Sequence, residues 1–468
     1  MSHNRMTAGA PTRSPRAPRR APAELTFVLD EALVESYAAG EPDWLAADRR
    51  AALALYGSLP IESNELYTPY IDLRSADLGD VRAYPEPAGA PDSARPGSVP
   101  PHGAAAFADF DEDRVGGLVV DDAARAAGVT VETLGGLIDR DPEAARRLLT
   151  DGETLPADDR LAQLTRAGWN QGVAIRVPDR VRLDRPIVVR WAAGTPGTAL
   201  LTRTIVELGD GASASVVEEL GPSADAAGAA AGSAQALFTS TLEIRVGRGA
   251  ELAVASIQDF GPEQIVFQHR RAIIGEESKL HWALAQLGGR LVRSRVDNRL
   301  EGDRSTVEQV EIVFGANEQL HDLTSYTRHV GRDTTGNLLS KGVLLDAART
   351  YLKGMITIEK SAVGTDSFLG EFGMNLSRKA RSVAIPSLEI DQPDCRRAAH
   401  SSSVGPIDEA QLFYLETRGI PPDDARKFIV LGFLEPVVAR VPLEAERDRL
   451  RELLEAKWDA GIARAAAA

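Results

Sequence analysis

Between Gly172 and about Ile390 apolar and polar residues alternate in short runs. Thr204-Ile205-Val206-Glu207-Leu208, Leu242-Glu243-Ile244-Arg245-Val246 and Val310-Glu311-Ile312-Val313-Phe314 each place every second side chain on one face, which predicts β-strands. The runs share a loose unit of apolar strand, glycine, one or two turn residues, a small residue, and a second apolar strand. Val206-Glu207-Leu208-Gly209-Asp210-Gly211-Ala212 and Ile244-Arg245-Val246-Gly247-Arg248-Gly249-Ala250 are two copies; Ile273 to Leu280 and Ile312 to Leu320 are looser ones. No helix of normal length interrupts them, so alternating βα units are excluded. The periodicity leaves a sandwich, a barrel and a stacked solenoid open. Irregular strand–corner–strand repetition over so long a stretch favours the solenoid, whose corners call for Gly, Asp or Asn.

Helical patterns flank this region. Glu41-Pro42-Asp43-Trp44-Leu45 opens a helix that runs to about Gly57, and further helices are expected at about 120–128 and 131–150, the latter with a strong start at Asp141-Pro142. A Pro/Gly-rich linker is expected at 84–103 and a surface loop at 221–234. After the strands, Asp408 to Arg418 reads as a helix stopped by Gly419. A second begins at Pro421-Pro422-Asp423, and a third spans Pro442 to Trp458. The expected organisation is a disordered basic tail at 1–23, a mostly helical N-terminal domain at 24–165, a β core at 166–404 and a helical C-terminal domain at 405–468.

Of the 468 residues, 43% are hydrophobic, enough for a large core, but only 5% are aromatic; small and β-branched residues suit closely stacked strands. The net charge of −15 argues against nucleic acid and anionic membranes as main partners. No apolar run is long enough to span a bilayer. Residues 1–20 hold five arginines and three prolines without an apolar stretch, which does not match a secretory signal. The single cysteine, Cys395, excludes an internal disulfide or a Cys-ligated cluster held by this chain alone, and fits a reducing, cytoplasmic setting.

No phosphate-binding loop, zinc-protease helix or nucleophile elbow occurs. Gly209/Gly211 and Gly247/Gly249 are followed by strands, so they read as corners, not as a dinucleotide site. His269, His281, His321 and His329 lie in strand runs and read as hydrogen-bonded or exposed strand residues. His400 stands apart, at the junction of the β core and the C-terminal helices in Cys395-Arg396-Arg397-Ala398-Ala399-His400-Ser401-Ser402-Ser403-Val404-Gly405. A neutral imidazole beside hydroxyls there can ligate iron or relay protons, or act only as a capping residue.

Ile385-Pro386-Ser387-Leu388-Glu389-Ile390, His400 to Gly405, and Ile407 to Ile420 with its Gln411-Leu412-Phe413-Tyr414 and Arg418-Gly419-Ile420 resemble the SufB/SufD family of iron–sulfur cluster assembly scaffolds. Weaker echoes, among them Gln171 to Pro178 and Lys353 to Ile358, extend the resemblance over roughly 40–440. It implies a mainly β fold: a right-handed parallel β-helix, or β-solenoid, flanked by helical N- and C-terminal domains. SufB-type chains carry a Cys six residues before the proline of the last coil and a Glu after the junction histidine; here these are Ala380 and Ser401, so the pattern sides with SufD. The resemblance further implies a scaffold without a complete active site, paired with SufB and docked to a SufC ATPase. His400 would sit at the SufB interface, where a transient iron–sulfur cluster forms, and would be its metal ligand. No cofactor would be held stably by this chain alone. Phe413, Tyr414, Arg418, Phe428 and Phe433 mark the ATPase-docking region, with some of the aromatics serving the core. A SufB-like main scaffold and a polysaccharide-acting β-helix enzyme are the alternatives.

Overall fold

The computed structural model describes residues 24–84, 100–150, 157–224, 226 and 234–467. The expected basic tail, and the larger part of the 84–103 linker and of the 221–234 loop, lie outside the described residues. Two ten-stranded sheets form a β-solenoid of about eight turns. The first sheet runs from β4 (Thr130–Thr133) through β5 (Gln171–Val177), β7 (Thr198–Leu208), β9 (Ala236–Val246), β11 (Gln264–Ile274), β13 (Leu291–Leu300), β15 (Leu320–His329) and β17 (Arg349–Ile358) to β19 (Arg381–Ile390), with β1 (Arg82–Ala83) beside β7. The second runs from β3 (Arg114–Val120) through β2 (Ala106–Asp111), β6 (Ile187–Ala193), β8 (Ser213–Pro222), β10 (Glu251–Gln258), β12 (Lys279–Gln286), β14 (Thr306–Gly315), β16 (Thr335–Leu344) and β18 (Asp366–Asn375) to β20 (Arg397–Gly405).

Successive coils pair in parallel, with partners 26 to 38 residues apart along the chain (Ile265↔Leu291, Thr335↔Asp366, Ser213↔Glu251). This is a solenoid's register and rules out the sandwich. The corners stack as well. Gly211, Gly249, Glu277, Arg304 and Asp333 occupy one corner in successive coils, each with φ between 54° and 67°. Each donates its N–H to the next coil's corner, as in Gly249 to Glu276 O and Glu277 to Asp303 O, both 2.8 Å. Glu277 and Arg304 are not the residue types expected there. The stacked hydrogen bonds and their mutual ion pair at 2.8 Å hold them against a left-handed cost of about 1–2 kcal/mol each.

The two ends differ. At the N-terminal end each sheet closes with an antiparallel strand, β4 on β5 and β3 on β2. Both belong to the region expected to be mostly helical. The helix expected at about 120–128 forms as α3 (Asp122–Ala126), but the start of the one expected at 131–150 is strand, in Thr130-Val131-Glu132-Thr133. Thr133 then caps α4 (Leu134–Arg140), and Asp141-Pro142 starts α5 (Pro142–Leu149). At the far end β19 and β20 each have one neighbour.

Five further helices cover the outer faces. α1 (Glu31–Ala38), α2 (Asp43–Ser58) and α6 (Arg160–Gly168), with the chain around 61–81, lie on the first sheet over Leu201, Leu237, Ile265, Phe267 and Leu291. α8 (Pro422–Val438) and α9 (Glu444–Ala467) lie on the second, their Val430, Leu434, Val437, Leu454 and Trp458 packing on Ala255, Ile257, Ala283, Ile312 and Phe314.

The bore is apolar near the capped end, where Trp191 stacks on Phe110 at 4.1 Å. Further along it carries a polar network. Arg270 donates to Ser256 (2.9 Å), Glu218 (3.2 Å), Gln268 (3.2 Å) and Ser294 (3.3 Å), and Trp282 Nε1 donates to Asn298 (2.9 Å). Burial holds His321 and His329 neutral, lowering them to about 3 and about 4, and raises Glu311 and Glu371 to about 7 and about 8. Between pH 6.5 and 5 the unfolded chain protonates the two histidines, which lowers stability as pH falls. The folded chain already holds the two carboxyl protons that the unfolded chain lacks, which raises it. Each group contributes about 1.4 kcal/mol per pH unit, so the pairs oppose one another. His329→Gln removes one destabilising share. Relative to wild type, its unfolding free energy is expected to rise by about 2 kcal/mol on going from pH 6.5 to 5, measured by urea titration.

Candidate functional site

The open end of the bore is built by the last coil. Register fixes which residues of β20 point inward: Ser367 faces Ala398, Leu369 faces His400, Glu371 faces Ser402 and Gly373 faces Val404. In the inner coils these positions are buried. On β20 no further strand among the described residues covers them, so His400 and Ser402 are exposed and Val404 is 42% exposed, as Ile390 is at 45% on β19. Arg397 secures the strand, pairing with Asp366 at 2.6 Å and lying over the Phe368 ring. Cys395 occupies the corner before β20, partly buried against the apolar cluster of Leu338, Ile356 and Leu369, and does not join His400.

One coil inward, Glu371 is 1% exposed. Its Oε2 accepts the Ile385 N–H at 2.8 Å, a bond that lowers its pKa less than burial raises it. The sequence reading missed this residue. Among the described residues no three His, Cys, Asp or Glu side chains stand close enough together to hold a metal ion. A cation at the open end would therefore complete its shell from water or another chain.

The expected docking residues lie on α7 (Glu409–Thr417), at its C-cap Arg418, and on α8. Asp408 caps α7 through Ala410 N–H, and Gly419, at φ 84°, ends it. Phe413, Tyr414 and Phe428 are 68%, 57% and 70% exposed, and Arg418 lies over the Tyr414 ring at 5.2 Å. Phe433 differs: it is half-buried against the solenoid, with Lys341 Nζ 4.5 Å above its ring. Of the four strand-run histidines, His269 pairs with Asp297 (2.7 Å), His329 with Thr334 and Ser367, and His281 with Glu251 and Glu308; His321 is fully buried in the bore. No helix among the described residues is long and apolar enough to cross a membrane.

Residues 191–433, just over half of the chain, match the family described as "SUF system FeS cluster assembly, SufBD core domain". The chain is 29% identical over 299 residues to the iron–sulfur cluster assembly protein SufD of Bacillus subtilis (strain 168), covering 64% of this chain and 67% of that protein. It is 26% identical over 296 residues to a SufBD family protein of Staphylococcus saprophyticus and 27% identical over 296 residues to one of Staphylococcus epidermidis, in each case covering 63% of this chain and 62% of the relative. The chain thus spans about two thirds of the length of these relatives, and less than that of the staphylococcal ones.

Proposed function

Because the chain belongs to the SufB/SufD core family of the SUF iron–sulfur cluster assembly system, and is a SufD-like member of it, we propose that it is a non-catalytic scaffold subunit that pairs with a SufB-type chain through the open end of its solenoid and docks a SufC-type ATPase through its C-terminal helices. The complex is cytoplasmic, in keeping with a chain that has one cysteine. ATP-driven rearrangement of that complex exposes the paired ends, and His400 contributes its imidazole to the cluster assembled there, with iron and sulfur as substrates.

The observation that carries this reading is the contrast between the ends of the solenoid. One is closed by antiparallel strands, while the other leaves two unpaired edges and an inward-facing, exposed histidine. Unpaired edges are what another chain's strands can extend. The absence of the SufB-type Cys and Glu, replaced by Ala380 and Ser401, favours the SufD-like role over that of main scaffold.

Co-purification with the SufB-type and SufC-type partners tests it, the expected result being one complex that contains all three. Failure to hold either partner overturns the assignment. Phe413→Ala with Phe428→Ala is expected to weaken ATPase binding about 10- to 100-fold without disturbing the fold, because both rings are mostly exposed and aromatic anchors dominate interface energies. Calorimetric titration of the ATPase into the folded variant checks this; unchanged affinity would place the docking surface elsewhere.

A further inference from the structure

Buried carboxyls in this chain are matched to cations or to several donors. Glu62 and Asp322 share Arg293, Glu218 faces Arg270, Glu243 faces Arg203 and Asp297 faces Arg295. Among the described residues Glu112 and Glu311 form no ion pair, but Glu112 accepts from Tyr84 Oη, Thr195 N and Thr195 Oγ1, and Glu311 accepts from Gln286 Nε2 and Ser294 Oγ at 3.4 Å. Glu371 has neither kind of compensation. Its one hydrogen bond comes from Ile385 N–H, and no Lys, Arg or His forms an ion pair with it among the described residues. Keeping a carboxyl in such a place is costly, so it calls for a reason beyond packing.

Its position supplies one. Glu371 and His400 point into the bore from neighbouring strands, two residues apart along the strand direction. Strands lie about 4.8 Å apart and two residues span about 6.6 Å, so the two Cα atoms stand roughly 8 Å apart on the same face. An imidazole and a carboxylate at that separation can bracket one cation at about 2 Å from each donor atom. A Cβ at Gly354 would fall 2.5 Å from Leu369 Cδ2 and 2.9 Å from Glu371 Oε1, so the glycine lets both side chains lie inside the bore. The mouth is open to solvent at His400 and Ser402.

We infer that Glu371 is a second protein donor, with His400, for a divalent first-row cation entering the open end of the bore. In the assembly reaction this cation is ferrous iron. Oxygen and imidazole donors suit such ions, and with only two of them from this chain the ion is held weakly and stays transferable. The inference rests on the reading of His400 given above.

The test is a titration of the purified full chain with Co2+ as a spectroscopic stand-in, following its ligand-field absorption, for wild type, Glu371→Gln and His400→Ala. The expected result is that both substitutions weaken binding at least about tenfold, with thermal unfolding showing each variant folded. Loss in His400→Ala but wild-type affinity in Glu371→Gln overturns the inference and leaves the His400 reading standing. Wild-type affinity in both overturns both. Loss in Glu371→Gln alone overturns the pairing. Should the glutamine variant fail to fold, Glu371→Asp keeps the charge but shortens the reach by one methylene. It is expected to bind more weakly, and unchanged affinity there likewise overturns the inference.

Discussion

Cluster formation by the assembled complex is expected to fall at least about tenfold when His400 is replaced by alanine, with the chain folded and the complex intact. The imidazole is exposed on an edge strand, so its removal leaves neither a cavity nor an unpaired buried partner. Its effect on stability is expected to be within about 0.5 kcal/mol. What is lost is a nitrogen donor aimed into the mouth of the bore, where Ser402 offers only a hydroxyl and Cys395 is turned into the corner. Anaerobic reconstitution of the three-subunit complex with ferrous iron, a sulfur source and ATP, followed by the charge-transfer absorbance of the cluster, measures the effect. Wild-type yield in His400→Ala would remove this residue from the assembly chemistry.

The largest loss of stability is expected at a site remote from that mouth. Arg293 on β13 donates to Glu62 and to Asp322, each at 2.7 Å, and Asp322 also receives Lys353 at 2.5 Å. All four side chains are at most 7% exposed. Arg293→Ala removes the ion pair of Glu62, and deleting one member of a buried pair costs about 3–5 kcal/mol. Because Glu62 belongs to the N-terminal covering layer, that layer is expected to loosen from the first sheet. Urea unfolding and protease sensitivity of the N-terminal segment report the two effects. Glu62→Gln added to Arg293→Ala is expected to recover part of the loss. Equal destabilisation of single and double variants would assign the cost to lost packing instead of an unpaired charge.

Much of this architecture was legible in the sequence. Strand alternation and glycine corners marked the coils, and Ile385 to Ile390 with Gln411 to Ile420 pointed to the family. Solenoid and sandwich could not be separated by periodicity, because both place alternate residues inward; only the pairing of each strand with one about thirty residues away decides. Thr130 to Thr133 escaped notice as a strand because four residues between two helical patterns carry too little alternation.

Glu371 was hidden for a different reason. In Asp366-Ser367-Phe368-Leu369-Gly370-Glu371-Phe372 the aromatics suggest that the even positions are core. The register instead puts Ser367, Leu369 and Glu371 inward and Phe368 and Phe372 on the outer face. The Glu62–Arg293 pair joins residues 231 positions apart, which no local pattern announces.

The closed end of the solenoid also lies nearer the start of the chain. During synthesis β2 to β4 leave the ribosome before the coils, and at about 5–20 residues per second each later coil of some thirty residues follows in about 2–6 s. A parallel coil needs only its predecessor as a template, so the nascent chain can lay down one layer at a time on a foundation that is already blunted. The growing end always presents the unpaired edges of the two sheets, and the last layer to be deposited is the one bearing His400. A ribosome stalled at any codon within the coils would therefore display an unpaired edge strand like β20 of the finished chain, before the C-terminal helices exist.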